Sequence, residues 1–233
     1  MNTIKDNILT LQARINQARE KYARTDHVLL LAVSKTKPVE AIIEAMEAGQ
    51  HAFGENYVQE GTDKVQYFAS HYPQSALEWH FIGPIQSNKT RPVAEHFSWV
   101  HTVDRAKIAQ RLNDQRPESL PPLQVLIQVN TSSEVSKSGV NEHEIAALAR
   151  QISTLPNLTL RGLMSIPENV SDYNSQLAAF QKLAALQKTL QAEYPSADTL
   201  SMGMTGDMEA AIEAGSTIVR IGTAIFGARN YSK

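Results

Sequence analysis

Leu29-Leu30-Leu31-Ala32-Val33-Ser34-Lys35-Thr36-Lys37-Pro38 is the stretch that decides how the chain reads. From Val28 to Val33 the residues are continuously apolar, a run too short for a typical helix and bounded by polar turn signals. Such a run predicts a strand over 28–34 buried on both faces. Pro38 fits the first helical position, where its missing N–H costs nothing, and a helix is predicted from Pro38 to Ala48 with Gly49 as its C′ residue. Lys35 then stands at the carboxyl end of a buried strand, where α/β folds place their chemistry. Taken alone, a lysine in a βα loop reads as a solvated side chain. What matters is the company the rest of the chain gives it.

Outward from this stretch the pattern repeats. Ile4, Ile8, Leu11, Ile15 and Tyr22 recur at helical spacing and predict an amphipathic helix of about five turns before the first strand. Strands are predicted at 51–54, 78–82, 99–103, 124–129, 158–164, 199–202 and 216–221, each reached through a helix. Ser87-Asn88 caps a short helix, Asp104 and Thr205 cap two others, and Asn141 with Glu144 makes a capping-box start. A long helix runs from about Asp172 to Glu193. Eight strands alternating with helices and buried on both faces predict parallel pairing. The count fits a single domain over residues 1–233, a (β/α)8 TIM barrel with an extra N-terminal helix. A doubly wound open sheet is the alternative, since counting strands does not show closure. A faint echo links Glu44-Ala45-Met46-Glu47-Ala48-Gly49 with Ala210-Ala211-Ile212-Glu213-Ala214-Gly215, both predicted helix ends.

Composition narrows the function classes. The 233 residues carry a net charge of −2, which leaves no electrostatic footprint for nucleic acid. There is no cysteine, so disulfides, thiolate catalysis and cysteine-ligated zinc drop out together. No histidine pair has metal-ligand spacing with a third ligand nearby. The N-terminus lacks the unbroken apolar core of a signal peptide and no stretch reaches a membrane span. The expectation is a cytoplasmic protein with no membrane or nucleic-acid partner, and a monomer, since no heptad seam or second domain asks for a dimer.

In a barrel the residues just after the strands converge at one face. Here these are Lys35, Asn56, His80, Asn130, Met164, Ser201, Gly203, Arg220, Gly222 and Thr223; no carboxylate is read at a strand end, and Glu55 and Asp207 are the nearest acids. His80, within an apolar strand, reads equally as a core histidine, and Trp79, Phe81 and Trp99 read as core. Lys37, Lys89 and Lys137 read as solvated, and Ser34 lacks a nucleophile-elbow context. Two final loops, Ser201-Met202-Gly203-Met204-Thr205-Gly206 and Arg220-Ile221-Gly222-Thr223, combine glycines with hydroxyls where barrels commonly bind phosphate. They read equally as two glycine-bearing turns. A strand-end lysine, a phosphate cup and an arginine beside it point to pyridoxal 5′-phosphate, held as a Schiff base on Lys35 with Arg220 at the pyridine nitrogen. An arginine cannot take up the pyridinium proton, so the ring would be a weak electron sink, better held than used.

These residues also carry a resemblance. Ala32-Val33-Ser34-Lys35-Thr36-Lys37-Pro38, Phe53-Gly54-Glu55-Asn56-Tyr57, Trp79-His80-Phe81-Ile82-Gly83, Ser201-Met202-Gly203-Met204 and Val219-Arg220-Ile221-Gly222-Thr223 resemble, in order and from about residue 28 onward, the YggS/PROSC family of pyridoxal phosphate homeostasis proteins, in its bacterial branch. The resemblance implies a barrel like the N-terminal domain of alanine racemase, with the cofactor on Lys35. It implies phosphate contacts at Ser201, Gly222 and Thr223, Arg220 at the pyridine nitrogen, and Asn56, His80 and Met204 around the pocket. It further implies a cofactor carrier or buffer acting in vitamin B6 balance, with pyridoxal-phosphate-dependent apo-enzymes as recipients. One departure is visible: members commonly read Met-Ser-x-Asp where this chain reads Met204-Thr205-Gly206-Asp207, which keeps a hydroxyl.

Two enzyme readings stand beside the carrier. A racemase or related lyase needs acid/base groups on both faces of the substrate Cα. Lys35 would serve one face, but the chain ends shortly after Gly222, without room for the second domain that supplies the other group in alanine racemases, and Tyr231 is a poor substitute. A phosphosugar enzyme would need a strand-end carboxylate base, which is not read here. The expectation is therefore no turnover. Lys37 or Lys137 is the candidate for a second amine assisting transfer.

Overall fold

A computed structural model describes residues 2–132, 134 and 138–229. The apolar run forms β1 (Leu29–Val33) and the other strands follow in chain order: β2 (Ala52–Glu55), β3 (Glu78–Phe81), β4 (Trp99–Val103), β5 (Leu123–Gln128), β6 (Leu158–Met164), β7 (Thr199–Ser201) and β8 (Ile218–Ile221). Helix α1 (Ile4–Lys21) comes first; α2 (Val39–Glu47), α3 (Val58–His71), α4 (Thr90–His96), α5 (Ala106–Gln115), α6 (Ile145–Ser153), α7 (Tyr173–Glu193) and α8 (Met208–Ala214) connect successive strands, and α9 (Thr223–Phe226) follows β8. All neighbouring strands pair in parallel, and β8 pairs with β1 through Leu30 opposite Val219 and Leu31 opposite Arg220. The sheet is a closed barrel, which excludes the open doubly wound alternative.

β1 shows why its run has no polar alternation. Leu31 and Val33 pack inside the barrel with Ala52, Ile82 and Ile218, while Leu30 and Ala32 join the larger core between barrel and helices. Each face is covered, as parallel barrels require. Helix α1 buries Ile8, Leu11, Ile15 and Ala18, and packs against α2, α8 and α9. Asn7 fastens it to the Ile225 carbonyl at 2.8 Å, and Lys21 pairs with Glu209 at 2.8 Å.

Several helix starts differ from expectation. Pro38 is the N-cap of α2, with extended backbone, and not its first helical residue. The cap of α5 is Arg105; the Asp104 carboxylate accepts instead from the Gly139 N–H. Helix α8 begins after Asp207 rather than at Thr205. Asp172 does cap α7, accepting from the Ser175 N–H at 2.9 Å, and Gly49 and Gly215 both end helices with positive φ. No helix among the described residues is long and apolar enough to cross a membrane.

Candidate functional site

The carboxyl ends of the strands open onto a cavity of about 410 Å³, walled by Lys35, Asn56, Ile82, Arg220, Gly222 and Arg229 among others. A larger hollow of about 560 Å³ adjoins it and shares Ile166, Met204, Gly206 and Arg220. These are sizes that hold small organic molecules.

Lys35 stands two residues beyond β1 on a backbone braced from below. Thr36, next to it, has φ +65°, a left-handed conformation that disfavours a β-branched residue. Its N–H donates to the Glu60 carboxylate. Lys64, on α3, donates to the Ser34 carbonyl at 2.7 Å and to the carboxylates of Glu55 and Glu60, each at 3.1 Å. The Ser34 hydroxyl also donates to Glu55. The residues on either side of Lys35 are thus held by one buried ionic cluster. Glu55 is fully buried, and burial pushes its pKa up to about 6 against the opposing pull of Lys64.

Arg220 is the third residue of β8, and its side chain reaches inward and up to the cavity. One amino group donates to the Ser201 hydroxyl at 2.6 Å, the other to the Ser165 carbonyl at 2.9 Å. Burial draws its pKa down to about 10, with Asp207 pulling the other way, so the guanidinium stays charged at neutral pH. Below Ser201 lie His101 and then His80, both fully buried.

The two final loops close the wall. Gly203 has φ +104°, and a Cβ there would lie 2.6 Å from that of Ala211. The Met204 N–H donates to the Asp207 carboxylate at 2.7 Å, which shapes the turn before α8, while the Met204 side chain is exposed. A Cβ at Gly222 would lie 2.3 Å from the Arg229 guanidinium, so the glycine lets that cation close over the loop. Lys37, expected to be solvated, donates to the Ala228 carbonyl at 2.7 Å and ties the segment bearing Arg229 to the β1–α2 loop.

Lys35, Asn56, Met204, Arg220, Gly222 and Thr223 therefore meet around one cavity. Ser201 and His80 do not stand on its wall; both are fully buried, Ser201 behind Arg220 and His80 deeper inside the barrel. Met164, from the wider strand-end set, is buried in the core, and Asn130 turns its carbonyl oxygen to the Ser132 N–H at 3.0 Å. Lys137 and Tyr231 fall outside the described residues. The reading of the sequence missed Arg229 and the Glu55–Lys64 pair. Glu55 is a strand-end carboxylate after all, since β2 runs to Glu55. Neither Lys64 nor Arg229 carries a local signal; the fold alone brings them in.

The fold and its mouth define a parallel eight-stranded barrel with a lysine after the first strand and an arginine on the last. Residues 7–230 match the family described as alanine racemase, N-terminal domain. The chain is 71% identical, over the full length of both, to the pyridoxal phosphate homeostasis protein of Vibrio alginolyticus, and 56% identical over full length to that of Escherichia coli K12. The structure of PipY from Synechococcus elongatus PCC7942 with pyridoxal phosphate (PLP) bound superposes with a TM-score of 0.83 at 33% identity, covering 97% of this chain and 100% of that one. The chain belongs to the pyridoxal phosphate homeostasis protein family, within the alanine racemase N-terminal domain fold.

Proposed function

We propose that this chain binds pyridoxal 5′-phosphate in the cavity at the barrel mouth, as a Schiff base on Lys35, and acts as a carrier in pyridoxal phosphate homeostasis. The observation that carries the reading is the convergence of Lys35, Arg220 and the Gly222–Thr223 turn on one cavity. The residues fit the group. Arg229 and Arg220 supply cationic donors for a phosphate ester and a pyridine nitrogen. The Asn56 side-chain oxygen is buried there without a hydrogen-bond partner and is available to a ligand donor. The names of the relatives and the PLP-bound PipY structure support the same cofactor.

When bound, the cofactor supplies an aldehyde that condenses with an amine with loss of water, and a ring that withdraws electrons. The chain's own part is to present the Lys35 amine on the braced 34–36 segment and to seat the phosphate at Gly222, Thr223 and the Met204–Gly206 turn. Arg220 remains protonated opposite the ring nitrogen and leaves the ring a weak electron sink, which suits a carrier. The same reading takes residues 1–233 as one binding domain, a cytoplasmic monomer whose recipients are pyridoxal-phosphate-dependent apo-enzymes.

The purified protein mixed with pyridoxal phosphate is expected to gain visible absorbance, and Lys35→Ala to lose it. Arg220→Ala is expected to weaken binding about tenfold or more, the scale of a hydrogen bond to a charged group. Incubation with a panel of amino acids in deuterium oxide is expected to give no Lys35-dependent exchange of the Cα proton. Rapid exchange that disappears in Lys35→Ala would replace the carrier with an enzyme.

A further inference from the structure

From Arg220 at the cavity a line of polar side chains runs down through the barrel interior. Arg220 Nη1 lies 2.6 Å from Ser201 Oγ, Ser201 Oγ 2.9 Å from His101 Nδ1, His101 Nε2 2.8 Å from His80 Nδ1, and His80 Nε2 2.6 Å from Glu78 Oε1. Ser201, His80 and His101 are fully buried, and Arg220 is 6% exposed. Glu78 is the first residue of β3, so its half-exposed carboxylate lies at the end of the barrel opposite the cavity. The line crosses the whole interior.

Its polarity follows from the two ends. A guanidinium only donates and a carboxylate only accepts, while the serine and the two neutral imidazoles between them have one proton each to give. One arrangement satisfies every contact. Arg220 donates to Ser201, Ser201 to His101 Nδ1, His101 Nε2–H to His80 Nδ1, and His80 Nε2–H to Glu78. Burial lowers the pKa of His80, and burial with His80 and Arg220 nearby holds His101 well below the usual range. Both shifts favour the neutral rings that the arrangement uses. His80 also stacks on Trp99 at 5.2 Å, and Arg161 covers that indole at 4.8 Å while pairing with Asp198.

We infer that Glu78, His80 and His101 are positioning residues that fix, from the far face of the barrel, the orientation of the Ser201 hydroxyl that accepts from Arg220. With the chain intact, the Ser201 proton points away from the guanidinium and its lone pairs toward it. Without the carboxylate, His80 has no fixed tautomer, and the reversed arrangement leaves a hydroxyl proton beside Arg220 with nothing to accept it. Arg220 is then held less firmly, with its bond to the Ser165 carbonyl remaining. The effect on cofactor rests on the proposed function, because it requires Arg220 to meet the bound group; the chain itself does not.

Nitrogen-15 NMR of the imidazoles in the cofactor-free protein tests the chain. Both His80 and His101 are expected as neutral Nε2–H tautomers at pH 7. Glu78→Ala is expected to disturb the tautomer of both rings, and Glu78→Gln, which keeps an accepting oxygen, to restore it. Added pyridoxal 5′-phosphate is expected to bind Glu78→Ala about tenfold more weakly than wild type, the scale of one hydrogen bond to a charged group, and Glu78→Gln within about twofold. A His101 found as the Nδ1–H tautomer, or tautomers unmoved by Glu78→Ala, would overturn the inference. So would disturbed tautomers with unchanged binding and absorbance. Absence of cofactor on Lys35 in the wild type would instead sink the proposed function, while the NMR comparison still decides the chain.

Discussion

At the scale of single residues the site rests on a buried carboxylate that never touches the cavity wall. Glu55 has its pKa raised by burial from 4.5 to about 6, so the folded protein binds that proton more tightly than the unfolded chain. Its contribution to stability is full below about pH 4.5 and is lost as pH rises through about 6, a change of about 2 kcal/mol. Glu55→Gln cannot titrate. The stability of wild type relative to this variant, from urea melts, is expected to fall by about 2 kcal/mol between pH 4.5 and 7.5. A rise over that interval would mean that Lys64 holds the carboxylate ionised at low pH. The position of Lys35 just beyond β1 was legible because a continuous apolar run leaves its first polar neighbours at a strand end. Glu55 was missed because a strand boundary one residue off moves a carboxylate from loop to strand. His80, placed by the sequence inside a strand over 78–82 and read equally as core, is fully buried within β3 and meets His101 in the barrel interior.

At the scale of elements, short-range chemistry set most boundaries but not every helix start. Asp207 accepts from the Met204 N–H, so the 204–207 segment is a turn and the helix opens only after it. The same Asp or Thr reads equally as a cap or a turn in sequence. Gly49 was legible as a C′ residue and Gly215 as a helix end, and both take the left-handed conformation, φ +97° and +117°. Alanine at either is expected to cost about 1 kcal/mol, read from thermal melts. Gly162 is different in kind. It has φ +141°, and a Cβ there would sit 1.8 Å from the Thr199 carbonyl oxygen on β7. Backbone cannot yield there as a side-chain tip would, so Gly162→Ala is expected to destabilise by more than about 3 kcal/mol, the range of severe core lesions. A Gly162→Ala melt within about 1 kcal/mol of wild type would contradict that packing.

At the scale of the whole molecule, closure is what turns distant residues into a site. Alternation of buried strands and helices was legible, and so was the count; the pairing of β8 with β1 was not, since no residue encodes it locally. Closure brings Arg220 opposite Leu31 and two residues from the end of β1, and so places it with Lys35 at one mouth. It also encloses the polar line from Glu78 to Arg220, which no sequence spacing reveals. Helix α1 belongs to the same unit: Ile15, 1% exposed, packs into the shared core, and Ile15→Ala is expected to cost about 2–5 kcal/mol. The central claim is that this mouth holds pyridoxal 5′-phosphate on Lys35. Borohydride reduction of the loaded protein followed by peptide mapping tests it most directly. The account predicts the pyridoxyl-phosphate adduct on the peptide bearing Lys35, at that lysine and lost in Lys35→Ala. An adduct on Lys37 or another lysine, with Lys35 unmodified, would contradict it.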